Sequence, residues 1–274
     1  MKIDNIYQTL MEAFGISSQE EQIREIVLNY LKKYPNYEII RDNLGSVFAY
    51  KKSRNENAKT VMVAGHMDEV GLMISEIRKN GALKVIPIGG LVPEVFLSQL
   101  LYINTKEKQI PAVMGAVPPH ISKDGKVSFQ DLTLDTGLNS KEEVLSHGIE
   151  LGQMVLPKTP FTYSVDGKRI ISKAVDNRWG VGMALELIRD FHDQELEFNL
   201  AIGATVQEEV GLRGAGTITY KIEPDVFIAL DASPLNDIND PYASGKIDEG
   251  FLLRLYDPNN IMKPSLFEYL KAVA

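Results

Sequence analysis

The chain contains 274 residues, a length that suits either one large domain or two smaller ones. Hydrophobic residues make up 44% of it and charged residues 24%, which is typical of a soluble globular protein and excludes disordered and low-complexity classes. The formal net charge of −8 argues against partners such as nucleic acid or an acidic membrane. Cysteine is absent, so any metal ion must be held by His, Asp and Glu side chains.

The N-terminal segment lacks the continuous apolar core of a signal peptide. No run approaches the roughly 18–20 apolar residues that span a bilayer. We therefore expect a soluble, cytoplasmic protein.

The N-terminal part of the chain predicts two helices followed by two strands, the helices over 4–13 and 18–34 and the strands over 46–51 and 60–65. Ser17 or Ser18 is placed to cap the second helix. The second strand is nearly all apolar, as expected for a strand that is buried on both faces.

Between about residues 72 and 164 the sequence changes to short β-like runs punctuated by Pro and Gly. The runs read LKVIPIG, QLLYINT, IPAVMGAV and QMVLP. Only residues 140–148 predict a short helix within this stretch. A small all-β module is the natural interpretation.

The α/β pattern returns after residue 170, with helices predicted over 178–193 and 211–222 and buried strands over 199–206 and 225–231. Such alternation implies a largely parallel sheet. The predicted fold class is therefore α/β, with a mostly parallel mixed sheet flanked by helices. Residues 1–71 and 165–274 would form this α/β domain, and residues 72–164 would be an inserted, barrel-like β domain.

Residues 264–274 begin with Pro and Ser, as a helix often does, but they end without a Gly, Pro or polar residue that would close the helix. We expect that the chain ends inside a helix, as a truncated chain would. A genuine short terminal helix is the alternative.

Four short motifs carry residues that could perform chemistry, and three of them follow apolar strands. They are GHMDEVG at 65–71, KAVDNRWG at 173–180, TVQEEVG at 205–211 and LDAS at 230–233. In open α/β sheets, functional groups lie at the carboxyl ends of the strands.

Each motif taken alone has an ordinary interpretation. His66 can bind a metal with Asp68 orienting its imidazole, or the pair can be a solvated loop. Asp176 can cap a helix or bridge two metal ions. Glu208 and Glu209 can divide two tasks at a strand end, one on a metal and one reaching a water, or simply be solvated. Asp231 is a further acid in the same kind of position.

The combined pattern is more informative than its parts. One His with several carboxylates and no thiol suits a pair of Zn²⁺, Co²⁺ or Mn²⁺ ions. Two such ions activate a bridging water and polarise a carbonyl, and a nearby free Glu serves as general base and then as proton donor. This chemistry is the hydrolysis of an amide.

The remaining histidines are interpreted as structural. His120 lies in a loop with Pro and Gly, His147 ends a short helix, and His192 lies in the last turn of the 178–193 helix. Trp179 at a helix start is interpreted as a core or wall residue.

The four motifs, in this order, resemble those of the glutamyl aminopeptidase family, which are dinuclear metallo-aminopeptidases that assemble as tetrahedral dodecamers. The resemblance covers essentially the whole chain, and the segment FLLRLYDP resembles the lactic-acid-bacterial subgroup. It implies a zinc-exopeptidase-like fold and release of N-terminal Glu or Asp from short peptides. It also implies self-association through the β insertion as a dimerisation domain.

The resemblance further implies individual roles. His66 and Asp231 would bind one metal ion, Asp176 would bridge, and Glu209 would bind the other ion. Glu208 would be the general base and Asp68 the partner of His66, and the Asp176–Asn177 peptide would be cis.

Arg254 is our candidate for pairing with the substrate's side-chain carboxylate, because a guanidinium binds a carboxylate in a bidentate manner. The alternative is that Arg254 is an ordinary strand residue.

The sequence departs from the family pattern in one respect. Family members continue beyond residue 274 and carry a late His that completes the second metal shell, whereas no His follows His192 here. The resemblance implies two Zn or Co ions per subunit, and this chain is expected to hold fewer, one or none. Two alternatives to an active aminopeptidase therefore follow: a catalytically impaired member of the family, or a related metal-dependent deacylase.

Overall fold

The computed structural model describes residues 5–115, 127–235, 239, 245–257 and 259–274. The chain forms two compact units, Met1–Ala232 and Ser233–Ala274, and each is described by itself. His120 lies outside the described residues.

The first unit combines helices with many short strands. Its described helices are α1 (Asn5–Glu12), α2 (Glu21–Leu31), α3 (Lys141–Ser146), α4 (Val175–Asp190) and α5 (Arg213–Ile222). Its described strands are β1 (Glu38–Arg41), β2 (Val47–Lys51), β3 (Thr60–His66), β4 (Gly71–Ile77), β5 (Leu83–Ile88), β6 (Leu100–Asn104), β7 (Gln109–Gly115), β8 (Thr133–Asp135), β9 (Met154–Pro157), β10 (Thr162–Tyr163), β11 (Ile170–Ile171), β12 (Asn199–Thr205) and β13 (Val226–Ala229).

The main sheet has the strand order β1–β2–β12–β3–β13. β3 runs parallel to both β12 and β13, and His66 at its end lies beside Thr205 of β12. β1 and β2 add an antiparallel edge. The carboxyl ends of the three parallel strands therefore lie at one edge of the sheet, where the segments that follow them meet.

Helices cover both faces of this sheet. Val47 and Ala49 of β2 pack in the core formed with α1, α2 and α4. Phe48, between them, packs on the opposite face with Ile218 of α5. Strands buried on both faces must be apolar at successive positions, which explains the continuous apolar runs in the sequence. The predicted fold class, a mixed α/β sheet flanked by helices, is confirmed.

The segment between β3 and α4 contains a closed barrel with the strand order β4–β5–β8–β7–β6–β9. The barrel closes because β4 pairs with both β5 and β9. Its interior is apolar, with Leu72, Ile74 and Leu101 fully buried. The predicted barrel-like insertion is confirmed as architecture, whereas the domain boundaries at residues 72 and 164 stay predictions.

The start of α2 differs from the sequence prediction. The helix begins at Glu21 with Glu20 as its N-cap residue, and no side chain caps it. Ser17 does not act as a cap, because it lies before the N-cap residue; its hydroxyl donates a 2.6 Å hydrogen bond to Asp68 Oδ2. Ser18 has a φ of 73° and also lies outside the helix.

The second unit is small and exposed. It contains a two-stranded hairpin of β14 (Tyr256–Asp257) and β15 (Asn260–Ile261), followed by α6 (Pro264–Val273). None of the described residues of α6 is buried. Across the described part of both units, no helix has the length and apolar character needed to cross a membrane.

Candidate metal centre

His66 lies at the centre of a cluster of carboxylates at the carboxyl edge of the main sheet. Its side chain is only 4% exposed, and its Nε2 atom is 3.1 Å from Asp176 Oδ1. The same atom is 3.8 Å from Glu208 Oε2 and 3.8 Å from Asp231 Oδ1. The structure therefore brings together residues that are far apart in the sequence.

The parallel strands deliver most of these side chains. His66 is the last residue of β3, the Glu208–Glu209 pair follows β12, and Asp231 follows β13. This is the arrangement expected from three parallel strands that end at one edge. The buried imidazole forms the floor of the cluster, and the Asp176 and Asp231 side chains, 58% and 49% exposed, face solvent.

Asp176 is delivered by the first turn of α4. The residue has non-helical backbone angles, and the Asp176–Asn177 peptide is cis, as the family resemblance implied. Asn177 fixes this turn, because its Nδ2 donates to Leu230 O at 2.7 Å and its Oδ1 accepts from Gly180 N at 3.0 Å. The capping bond at the start of the regular helix comes from Asn177 Oδ1, so the interpretation of Asp176 as a helix cap is wrong.

Asp68 is fully buried and organises the cluster from beneath. Its Oδ1 accepts a hydrogen bond from Glu208 N at 3.0 Å and its Oδ2 accepts one from Glu209 N at 3.1 Å. His66 Nδ1 is 3.0 Å from the backbone oxygen of Asp68 and 3.4 Å from its Oδ1. The shorter contact makes the backbone carbonyl the better acceptor for the imidazole N–H.

A buried ionic group lies behind the cluster, and sequence reasoning missed it. Arg178 is fully buried and donates to the carbonyl oxygens of Leu10, Ala13, Gly15 and Met67 and to Glu69 Oε1. Lys173 Nζ also donates to Glu69 Oε1, at 2.7 Å. The one feature of the sequence that could have pointed to Arg178 and Lys173 is that both lie within the motif KAVDNRWG, which contains Asp176.

Burial and the neighbouring charges together shift the pKa values of the cluster. Burial lowers the pKa of His66, but hydrogen bonds to Asp176 and Asp68 and the negative charges of Asp68 and Glu208 outweigh it and raise the value to about 10. Burial raises the pKa of Glu209 to about 7, assisted by Asp176 and Glu208 and opposed by His66. Burial likewise raises the pKa of Glu208, opposed by His66. The cluster thus attracts positive charge.

Two sets of side chains in the described residues could each hold a metal ion. One consists of His66, Asp176 and Asp231, and the other of His66, Glu208 and Glu209, with ligand atoms within 4.8 Å of one another in each set. Imidazole and carboxylate donors suit Zn²⁺, Co²⁺ or Mn²⁺. The donor chemistry and the surplus of negative charge both fit divalent cations.

The other residues singled out from the sequence lie elsewhere. Arg254 belongs to the second unit, where it donates to Ser233 Oγ at 2.6 Å. His147 follows α3 and contacts Glu143 O through Nδ1 at 2.9 Å. His192 packs edge-on against Tyr34.

Comparison with known protein families gives a match over residues 45–274 to the model described as M42 glutamyl aminopeptidase. The glutamyl aminopeptidase of Lactococcus lactis subsp. cremoris is 40% identical, over 98% of this chain and 77% of the relative. The lysyl aminopeptidase of Pyrococcus furiosus is 34% identical, over 88% of this chain and 69% of the relative.

Solved structures give the same result. A TET aminopeptidase from a marine-sediment Thaumarchaeota archaeon superposes with a TM-score of 0.91 at 34% identity, over 98% of this chain and 77% of the other. The TET1 peptidase of Pyrococcus horikoshii superposes with a TM-score of 0.85 at 29% identity, over 98% and 80%. The latter is described as assembling into a tetrahedron or a large octahedral shell.

Proposed function

The chain belongs to the M42 glutamyl aminopeptidase family of metal-dependent peptidases, and on this premise we propose that it releases N-terminal acidic residues, Glu or Asp, from short peptides. The observation that carries the proposal is the convergence of His66, Asp176, Glu208 and Asp231 at one edge of the sheet. The acidic preference is supported by the 40% identity to a glutamyl aminopeptidase.

In this proposal the cluster would hold Zn²⁺ or Co²⁺; the family pattern has two such ions per subunit, and we expect one or fewer in this chain, in which no His follows His192. His66 and Asp231 would hold one ion, Glu209 would hold the other, and Asp176 would be shared between them. The bound ions would supply an acidified water and a polarised peptide carbonyl. Asp68 keeps His66 oriented, because the imidazole Nδ1 contacts its backbone oxygen.

Glu208 is the proposed general base. Its carboxylate takes the proton of the attacking water and then passes it to the nitrogen of the leaving peptide. Its Oε2 lies 3.8 Å from His66 Nε2, beside the proposed ligands, where a carboxylate can reach a water bound in the cluster. Its backbone N–H donates to Asp68 Oδ1 at 3.0 Å, which holds the backbone that carries this side chain.

The Glu208→Gln variant tests this role. We expect kcat for a Glu p-nitroanilide to fall by about 10²–10⁴-fold, because the amide cannot accept the proton. The bound metal content, measured by mass spectrometry of the elements, should not change. Glu25→Gln, at an exposed site on α2, is the matched control. Wild-type turnover by Glu208→Gln would reject this mechanism.

The substrate panel separates the proposed activity from the alternatives. Glu, Leu and Lys p-nitroanilides and N-acetyl-Glu p-nitroanilide are compared with and without a chelator. An aminopeptidase that prefers acidic residues cleaves the free Glu substrate fastest and leaves the acetylated one intact. Release of acetate and Glu p-nitroanilide from the acetylated substrate, with no p-nitroaniline released from the free Glu substrate, would indicate a deacylase instead.

Arg254 is proposed as the partner of the substrate side-chain carboxylate, since a guanidinium forms two parallel hydrogen bonds to such a group. Arg254→Ala should then raise KM for the Glu substrate and leave KM for the Leu substrate unchanged. An equal effect on both substrates would reject this assignment.

Self-association through the barrel is also proposed, as in the assemblies described for the Pyrococcus horikoshii peptidase. It is supported by exposed apolar side chains on the barrel, notably the cross-strand pair of Leu100 and Val113, which are 51% and 48% exposed. A dodecamer would have twelve times the 30.6 kDa mass of one chain by light scattering. Replacing both residues with Glu should lower this mass.

A further inference from the structure

Three consecutive backbone N–H groups between β12 and α5 are held by two buried carboxyl groups. Glu208 N and Glu209 N donate to the two oxygens of Asp68, at 3.0 and 3.1 Å. The preceding amide, Gln207 N, donates to Glu20 Oε1 at 3.0 Å. The segment that carries both site glutamates is therefore fixed from below by Asp68 and Glu20 together.

Gln207 is the residue at which this segment changes direction. Its φ of 54° lies in the left-handed region, which a non-glycine residue occupies only when its surroundings enforce it. Within this segment, Asp68 accepts from the two amides that follow Gln207. Glu20 is the side chain that accepts from the amide of Gln207, while Arg213 donates to the Gln207 carbonyl and side chain. The orientation of this turn determines where the next two side chains point.

Glu20 serves this contact and not its own helix. It is the N-cap residue of α2, yet its side chain makes no capping bond there. The side chain is 1% exposed, and Oε1 accepts from Ser18 N at 2.9 Å as well as from Gln207 N. Burying a carboxyl group costs free energy unless hydrogen bonds compensate for it. The two amides that donate to Glu20 provide this compensation and tie its side chain to the turn at Gln207.

Two more hydrogen bonds connect the turn before α2, which carries Glu20, to the residues around Asp68. Ser17 Oγ donates to Asp68 Oδ2 at 2.6 Å. Gly15 O accepts from Glu69 N at 3.0 Å, next to Asp68. The residues before α2, the loop after β3 and the loop after β12 therefore form one hydrogen-bonded assembly around Asp68.

We propose that Glu20 is a positioning residue for the peptidase reaction: its carboxyl oxygen holds the left-handed turn at Gln207 and so aims Glu208 and Glu209 at the metal-ligand cluster. This inference rests on the roles proposed above for those two glutamates. Glu20 does not touch the reacting atoms, and it acts on the site through its hydrogen bond from the backbone N–H of Gln207.

The test compares Glu20→Met, which keeps the volume but removes the acceptor, with Glu20→Gln, which keeps an oxygen acceptor. Each is assayed with Glu p-nitroanilide at saturating metal, and deuterium uptake is measured for the peptide spanning residues 206–212. Glu21→Met, at the neighbouring exposed position, is the control. Glu208→Gln is run in parallel.

We expect Glu20→Met to lower kcat by about 10- to 100-fold with little change in KM, because displacing a catalytic group by about 1 Å has effects of this size. Deuterium uptake by residues 206–212 should rise in the same variant. Glu20→Gln should recover most of both properties, and Glu21→Met should match the wild type.

Several results would overturn the inference. If Glu208→Gln is inactive, an unchanged kcat and unchanged deuterium uptake in Glu20→Met would overturn it. A Glu20→Gln variant as impaired as Glu20→Met would also overturn it. If Glu20→Met does not fold, Glu20→Asp decides, because its shorter side chain cannot reach Gln207 N, and normal kcat and uptake would then reject the role. An active Glu208→Gln variant would reject the proposed general base, while the uptake data would still report on the turn.

Discussion

At the scale of single residues, Glu20 shows how a buried acid makes stability depend on pH. Burial has the largest effect and raises the pKa of its carboxyl group from 4.5 to about 7. The charge of Asp68 acts in the same direction, while the hydrogen bonds from Ser18 and Gln207 partly offset it. The folded state therefore binds the Glu20 proton more tightly than the unfolded chain does.

The free energy of unfolding should consequently fall as the pH rises from about 4.5 to 7, through the window between the unfolded and folded pKa values. Glu20→Gln lacks this titration. Relative to the variant, the wild type should lose about 2–3 kcal/mol between pH 5 and pH 8. Urea unfolding of both proteins at the two pH values measures the difference. If the difference in unfolding free energy between the wild type and Glu20→Gln were the same at both pH values, the expectation would be contradicted.

The sequence reveals some of the site residues and conceals others for a physical reason. His66, Glu208, Glu209 and Asp231 could be predicted because polar residues that directly follow apolar strands are conspicuous. Arg178 could not be assigned in this way. Its partners are mostly backbone carbonyls, which every residue has, and they come from segments more than 100 positions away. Contacts of this kind leave no pattern in the sequence.

At the scale of secondary-structure elements, the crossing of β3 and α4 sets the spacing of the site. Gly65 precedes His66 on the strand and faces Gly180 on the helix. A Cβ atom on Gly65 would lie 2.5 Å from Gly180 C and 2.6 Å from Val181 N. The backbones therefore touch directly, and this close approach brings Asp176, at the start of α4, within 3.1 Å of His66.

Gly65→Ala should push the helix away from the strand. Because the obstructing atoms are backbone, we expect a loss of about 2–3 kcal/mol in the free energy of unfolding. Gly216→Ala is the matched control, since a Cβ there meets nothing within 4 Å on the exposed side of α5. That control should be stabilising by about 0.5–1 kcal/mol. Chemical denaturation would refute the crossing argument if Gly65→Ala were as stable as the wild type.

Strands with long apolar runs could be predicted from the sequence. A strand whose existence depends on pairing with a neighbouring strand could not. The apolar runs that form β3 and β12 are recognisable because both faces of these strands are buried. β1 has three exposed residues among its four and was not predicted. It is a strand because it pairs with β2, and such pairing depends on a neighbouring strand more than on the residues themselves.

At the scale of the whole molecule, the carboxylate cluster couples metal binding to folding. The acidic residues converge only in the folded state, so a cation bound there stabilises the fold. The protein also carries a net charge of −8, which makes the approach of a divalent cation favourable.

Adding Zn²⁺ or Co²⁺ at about 100 times its Kd should raise Tm by about 5–10 °C, because binding at this ratio contributes about 2.7 kcal/mol. A chelator should reverse the rise. Asp231→Asn should reduce it, whereas Asp193→Asn, at a side chain that is 91% exposed, should not. Calorimetry that shows the same rise for both variants would argue against the proposed ligand set.

The closure of the barrel by β4 and β9 has a consequence for how the chain folds. Because these strands, at the two ends of the barrel sequence, pair side by side, the backbone enters and leaves it at neighbouring points. The parallel partners β3 and β12 lie on opposite sides of this long insertion in the sequence. Loop closure grows costlier with length, and early closure of the barrel would shorten the effective loop between them. Early closure of the barrel would thereby leave mainly residues 158–198 to be ordered before β3 and β12 can pair.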